Sequence, residues 1–186
     1  MAIRHNLVIG GSGMLVGLCL RLAGEGGIVS VVARDLKRIQ SLADQMPGRI
    51  FPALADYRNA NAFACALSSA SDEYGLPSRT FCWVHEEVAP DAPLQAADHV
   101  EGPFWHILGS AAGNPAEPQV LSRWRERFQH RRPGLDYRQI VLGFTLEAGA
   151  SHWLTDAEIS DGVYSAAQSD DVLSIVGTVT PWSRRP

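Results

Sequence analysis

The chain has 186 residues, 46% of them hydrophobic and 19% charged, with a formal net charge of −4. That balance belongs to a folded globular protein, not a disordered one, and the length suits a single domain, residues 1–186, that buries a core without disulfides or structural metal. The acidic excess gives no electrostatic footing for nucleic acid or an anionic membrane surface, and no apolar run approaches bilayer-spanning length.

Leu7 to Gly10 reads as a strand that stops in Gly10-Gly11-Ser12-Gly13, and Met14 to Ala23 as the helix that follows. Glycines at such a turn let the backbone approach a pyrophosphate, and the helix start offers free N–H groups and the positive end of its dipole. A nucleotide phosphate site over Gly10, Gly11, Ser12, Gly13 and Met14 is therefore expected. Arg4 and His5 before the apolar run imitate a secretory leader, but glycines interrupt the run and Arg21 closes it.

Ile28 to Ala33 is a β-branched second strand, and Asp35 caps a helix over Leu36 to Gln45 that Pro47-Gly48 stops. Ile50 to Ala55 is a third strand, Asn61 to Tyr74 a helix, and Arg79 to His85 a fourth strand. A short helix from Asp91 to Val100 leads to the fifth strand, Phe104 to Gly109. Pro118 opens a helix in which Leu121, Trp124 and Phe128 share one face, and Gly134 ends it. Arg138 to Leu146 is strand six, followed by a mobile loop at Gly149-Ala150-Ser151. Thr155-x-x-Glu158 is a capping box opening a helix to Ser169, and Val172 to Val179 is strand seven. This alternation predicts an α/β fold: a parallel sheet of about seven strands with helices on both faces. Cys19, Cys65 and Cys82 share no metal-ligand spacing and sit among apolar residues. They are expected to be buried, reduced thiols of a cytoplasmic protein, and no metal site is expected.

The GGSGML turn, the Arg34-Asp35 junction, the segment His106 to Ala111 and the strand YRQIVLGF, in this order, resemble the short-chain dehydrogenase/reductase superfamily, in a shortened and atypical form. The resemblance implies a Rossmann-type doubly wound sheet with a dinucleotide lying across the carboxyl ends of the strands. Arg34 then falls where the adenosine ribose is read. A guanidinium there suits a 2′-phosphate, and with Lys37 and Arg38 nearby it points to NADP(H). Asp56 matches the position that holds the adenine amino group, with Tyr57 beside it. Ser110 matches the serine that hydrogen-bonds a substrate carbonyl. A capping or turn role is the plain alternative for Asp56 and Ser110.

Two departures bear on chemistry. The family's acid is a tyrosine activated by a lysine four residues later, whereas Lys37 is the single lysine here. Tyr137 therefore reads as a structural residue at the edge of strand six. The fourth strand ends Trp83-Val84-His85-Glu86-Glu87 in place of an asparagine-alanine-glycine turn. His85, at a strand end, can donate a proton near neutral pH, with Glu86 or Glu87 orienting it or acting as an acid if buried. His85, Glu86 and Ser110 are the candidate catalytic residues. His106, inside strand five, reads as a satisfied interior histidine, and Arg123, Arg127 and Arg131 as a solvated helix face. The expectation is an NADPH-dependent reductase of a small polar C=O or C=N substrate, self-association being left open. The alternative is a non-catalytic dinucleotide-binding sensor or partner subunit.

Overall fold

Runs such as Leu7-Val8-Ile9 and Val31-Val32-Ala33 are apolar at consecutive positions, which suits strands covered on both faces, as in a parallel sheet. The computed structural model, which describes residues 4–147 and 149–186, builds these runs into its centre. Its elements are β1 (His5–Ile9), α1 (Val16–Gly24), β2 (Ile28–Ala33), α2 (Leu36–Ala43), β3 (Ile50–Leu54), α3 (Ala60–Tyr74), β4 (Arg79–Trp83), α4 (Ala92–Ala97) and β5 (Phe104–Leu108). There follow α5 (Gln119–Arg131), β6 (Tyr137–Leu142), β7 (Phe144–Glu147), β8 (Ala150–Trp153), α6 (Asp156–Ala166) and β9 (Leu173–Val176).

Seven strands form one sheet in the order β3-β2-β1-β4-β5-β6-β9, every pair parallel. The order reverses between β1 and β4, and ligands of such sheets bind outside the carboxyl ends at this reversal. One face buries Val8, Val31, Phe81, Trp105 and Ile140 against α1, α2 and α6; the other buries Leu7, Ile9, Phe104 and Val141 against α3, α4 and α5. The predicted doubly wound α/β fold is present.

Local chemistry sets the starts of α2, α3 and α6. Asp35 accepts the Arg38 amide at 3.1 Å, and Asn59 accepts the Ala62 amide at 3.1 Å. The Thr155 box is complete: its hydroxyl accepts the Glu158 amide at 3.3 Å, and Glu158 accepts the Thr155 amide at 2.7 Å.

Several boundaries differ from the sequence reading. Met14 lies in the turn, because α1 begins only at Val16. Strand six stops at Leu142, since a side chain at Gly143 would run into the Thr178 carbonyl where the two chain segments cross. Beyond it, β7 and β8 form an antiparallel hairpin where a mobile loop was expected. Gly177, at φ +73°, ends β9 early and returns Thr178 to pair with Phe144. Cys19 and Cys82 are buried, and burial pushes both thiols up in pKa, but Cys65 is exposed: it lies on a turn of α3 that does not face the sheet. Among the described residues no helix is long and apolar enough to cross a membrane, and no group of three or more metal-ligating side chains gathers.

Candidate functional site

The glycine turn lies at the carboxyl end of β1, beside the reversal of strand order. Gly10 has φ +80°, and a Cβ there would stand 2.5 Å from the Trp83 carbonyl oxygen, so β4 itself requires the glycine. At Gly11 a Cβ would stand 2.9 Å from Val31 and 3.0 Å from the Cys19 sulfur, which is where α1 comes down onto the sheet. Gly13 is different: a Cβ there meets nothing within 4 Å. Packing therefore does not demand Gly13, and open space lies above it.

No side chain caps α1, and among the described residues the amides of Gly11, Ser12, Gly13 and Met14 meet no acceptor. The turn is braced from outside the motif, because the Ser160 hydroxyl of α6 donates to the Met14 carbonyl at 2.8 Å. Gly17, in α1, admits α6; a Cβ there would lie 2.9 Å from Ser160 Cβ.

A groove of about 700 Å³ is lined by Ser12 and Gly13 of the turn, Lys37 and Arg38 of α2 and Asp156 of α6. Lys37, which lines it, is exposed; Arg34, directly after β2, is exposed too but does not line this groove. Arg38 leans back to Asp35, Nε to Oδ2 at 3.5 Å. Asp56 is gripped by the Arg58 guanidinium at 2.5–3.0 Å, and hydrogen bonds from Arg58 hold its pKa down at about 2. Tyr57 accepts the His85 amide at 3.4 Å, tying the β3 and β4 loops together.

The polar residues beyond β4 and β5 are dispersed. His85 is exposed, its ring edge-on to Trp83 at 5.7 Å. Glu86 does not orient it: the carboxylate turns inward, accepting Trp124 Nε1–H at 3.0 Å with Oε1 3.9 Å from His106 Nε2. Burial raises the Glu86 pKa against the opposing Trp124 hydrogen bond. Ser110 begins a 3-10 turn, and its hydroxyl accepts Arg185 Nε–H at 3.2 Å. Arg185 lies over the Trp153 and Trp182 rings, at 5.1 and 5.0 Å. Arg127 and Arg131 cross to Asp91 and Asp98 at 2.7 and 2.5 Å and so brace α5 against the α4 segment.

Tyr137 is mostly buried at the start of β6, where burial pushes its phenol well above the ordinary range. His106 is interior as expected, but it is not satisfied: Nδ1 meets the Tyr137 hydroxyl at 2.9 Å, while Nε2 has no partner. Sequence reasoning missed Ser160, Trp124 and Arg185. Each acts through contacts distant in sequence and carries no local signature.

No protein-family model and no curated protein sequence matches the chain. Solved structures do. An apo SCOR enzyme from Clostridium thermocellum superposes with a TM-score of 0.75 at 18% identity, covering 98% of this chain and 94% of its own. A Serratia marcescens short-chain dehydrogenase/reductase double mutant gives 0.72 at 18% identity, covering 94% and 96%. A metagenomic short-chain oxidoreductase, solved in complex with NADP, gives 0.67 at 16% identity, covering 96% and 98%. The chain has the short-chain dehydrogenase/reductase fold. Within that fold it carries no Tyr-x-x-x-Lys pair, since Lys37 is its single lysine and stands at the start of α2.

Proposed function

We propose that the chain is an NADP(H)-dependent oxidoreductase of the short-chain dehydrogenase/reductase type that reduces a small polar C=O or C=N group. The observation that carries this reading is Gly13. Its space is left open by the protein, over a turn whose amides have no acceptor, beside a groove walled by Lys37 and Arg38. A dinucleotide fits these features. Gly10, Gly11, Ser12, Gly13 and Met14 would hold the pyrophosphate, Arg34, Lys37 and Arg38 the 2′-phosphate, and Asp56 and Tyr57 the adenine end. The metagenomic relative that binds NADP lends support at the level of the fold.

When bound, the nicotinamide supplies hydride chemistry of its own. The protein's part is to position the ring, exclude water and provide a proton from the groups past β4 and β5: His85, Glu86 and Ser110. An imine nitrogen, being basic already, asks less of that proton donor than a ketone. We propose a small-molecule substrate and a cytoplasmic setting.

One observation favours a second reading, binding without turnover: the Ser110 hydroxyl is already engaged by Arg185. Fluorescence titration with NADPH and NADH, followed by a carbonyl and imine panel, tests both. Tighter NADPH binding with turnover supports the reductase, tighter binding with none supports the sensor, and no binding of either cofactor removes both.

A further inference from the structure

The face of the sheet beneath the β4 loop carries a polar chain that packing does not explain. Gln139, buried in β6, donates through Nε2 to the Leu121 carbonyl at 2.9 Å and to the Tyr137 oxygen at 3.2 Å, while Oε1 accepts from Arg125 at 3.3 Å. Tyr137 accepts from Gln139 and has no other acceptor for its O–H among the described residues, so the assignment that satisfies the phenol has it donate to His106 Nδ1 at 2.9 Å. The remaining ring proton then sits on Nε2. That N–H has no hydrogen-bond partner, although His106 is fully buried, and the carboxylate oxygen it faces is Glu86 Oε1 at 3.9 Å. A buried donor left without a partner is rare enough to need a reason.

Glu86 supplies one. It stands three residues past β4, where the strand order reverses, and the glycine turn ends the neighbouring β1. Its side chain is 34% exposed, so one side reaches solvent while Trp124 and His106 face the other. We propose that Glu86 is the proton donor of this site and that His106, whose Nε2–H stands 3.9 Å from Oε1, is the positioning residue that closes on the carboxylate as it forms, with Tyr137 fixing the tautomer from behind. This rests on the reductase reading above. The Oε1–H bond of Glu86 would break and its proton would go to the substrate oxygen or nitrogen, while a bound reduced nicotinamide would supply the hydride to the substrate carbon. The bonding pair remains on Glu86 as a carboxylate, which Trp124 Nε1–H and His106 Nε2–H stabilise until solvent returns a proton.

Other groups shape the same carboxyl. Glu87 beside it and burial favour the protonated form, whereas Trp124 and Arg127 of α5 favour the carboxylate. Arg127 is tied to Asp91 at 2.7 Å, and Cys82 lies buried beneath. Burial keeps His106 neutral, so it serves as a donor and not as a cation.

Nitrogen-15 NMR of histidine-labelled protein and carbon-13 NMR of the glutamate carboxyls test the arrangement without substrate. The expected result is a neutral, Nε2-protonated His106 at neutral pH. Glu86 should titrate above the ordinary glutamate range, moving higher still in His106→Leu, which loses the donor, and returning toward wild type in His106→Gln. In turnover assays Glu86→Gln should cost about 10²–10⁴-fold in kcat with NADPH binding retained. His106→Leu should cost less and shift the pH profile. A proton on Nδ1, a Glu86 titration that ignores His106→Leu, or a His85→Ala variant more damaging than Glu86→Gln would overturn the proposal. Failure of NADPH to bind, with the tautomer and titration as described, would instead overturn the reductase reading and the acid role with it.

Discussion

The Ser160 hydroxyl, on α6, donates to the Met14 carbonyl in the glycine turn at 2.8 Å, across 146 residues of sequence. The glycine turn is thus braced by the last α-helix. Ser160→Ala should lower unfolding free energy by about 0.5–1.5 kcal/mol, the usual net worth of one hydrogen bond, and weaken NADPH binding by loosening the turn. Denaturant unfolding and cofactor titration check the two halves. An intact affinity in the variant would show that the turn holds its shape without α6.

Gly13→Val should fold normally, because a Cβ at this position meets nothing within 4 Å, yet lose NADPH, because the side chain would enter the space proposed for the pyrophosphate. Circular dichroism and calorimetric titration separate these outcomes. Gly10→Val is the contrasting case: a Cβ there lies 2.5 Å from the Trp83 carbonyl oxygen, so this variant should fail to fold stably.

Arg34 forms no ion pair among the described residues and stands exposed at the end of β2. Arg34→Ala should weaken NADPH by about 1–3 kcal/mol, the scale of a lost charged hydrogen bond, and leave NADH nearly unchanged. Equal losses for the two cofactors would sink the 2′-phosphate assignment.

Stability should fall on acidification well before the aspartates protonate. His5, bonded to the Gly75 carbonyl and the Ser30 hydroxyl, and His106 are both depressed by burial, His106 to about 3 from an ordinary 6.5. Below about 6.5 the unfolded chain takes up protons that the folded chain refuses, so stability present above that pH is lost as pH falls toward the folded values. The slope is up to about 1.4 kcal/mol per pH unit for each histidine. Glu86, raised by burial, works in the opposite direction. Unfolding curves at pH 7.5, 6 and 5 for wild type and His106→Leu isolate the histidine contribution, and parallel pH dependences would exclude it.

Much of the frame was legible from local pattern. Asp35 and the Thr155–Glu158 pair announced helix starts because capping is decided within four residues. The glycine turn announced itself because Gly10 answers to its own φ and to the adjacent strand. Strand six was drawn too long because Gly143 looks like any strand glycine until Thr178 is seen crossing it. Cys65 looked buried for its apolar neighbours, although which side of α3 it takes depends on where the sheet lies. His106 was correctly put inside, but its unpaired Nε2 and the Glu86 carboxylate facing it belong to two separate segments, and no spacing rule joins them.

The cysteines also provide a clock. Cys19 lies directly under Gly11, its sulfur 3.8 Å from that carbonyl and shut off from solvent, whereas Cys65 is open. A thiol reagent should therefore modify Cys65 at once and reach Cys19 only during excursions that lift α1 from the sheet. The rate at Cys19 measures how often the glycine turn opens, with Cys65 as the internal reference on the same molecule. A ligand seated on the turn must slow the first rate and leave the second alone, so occupancy can be read without any substrate in hand.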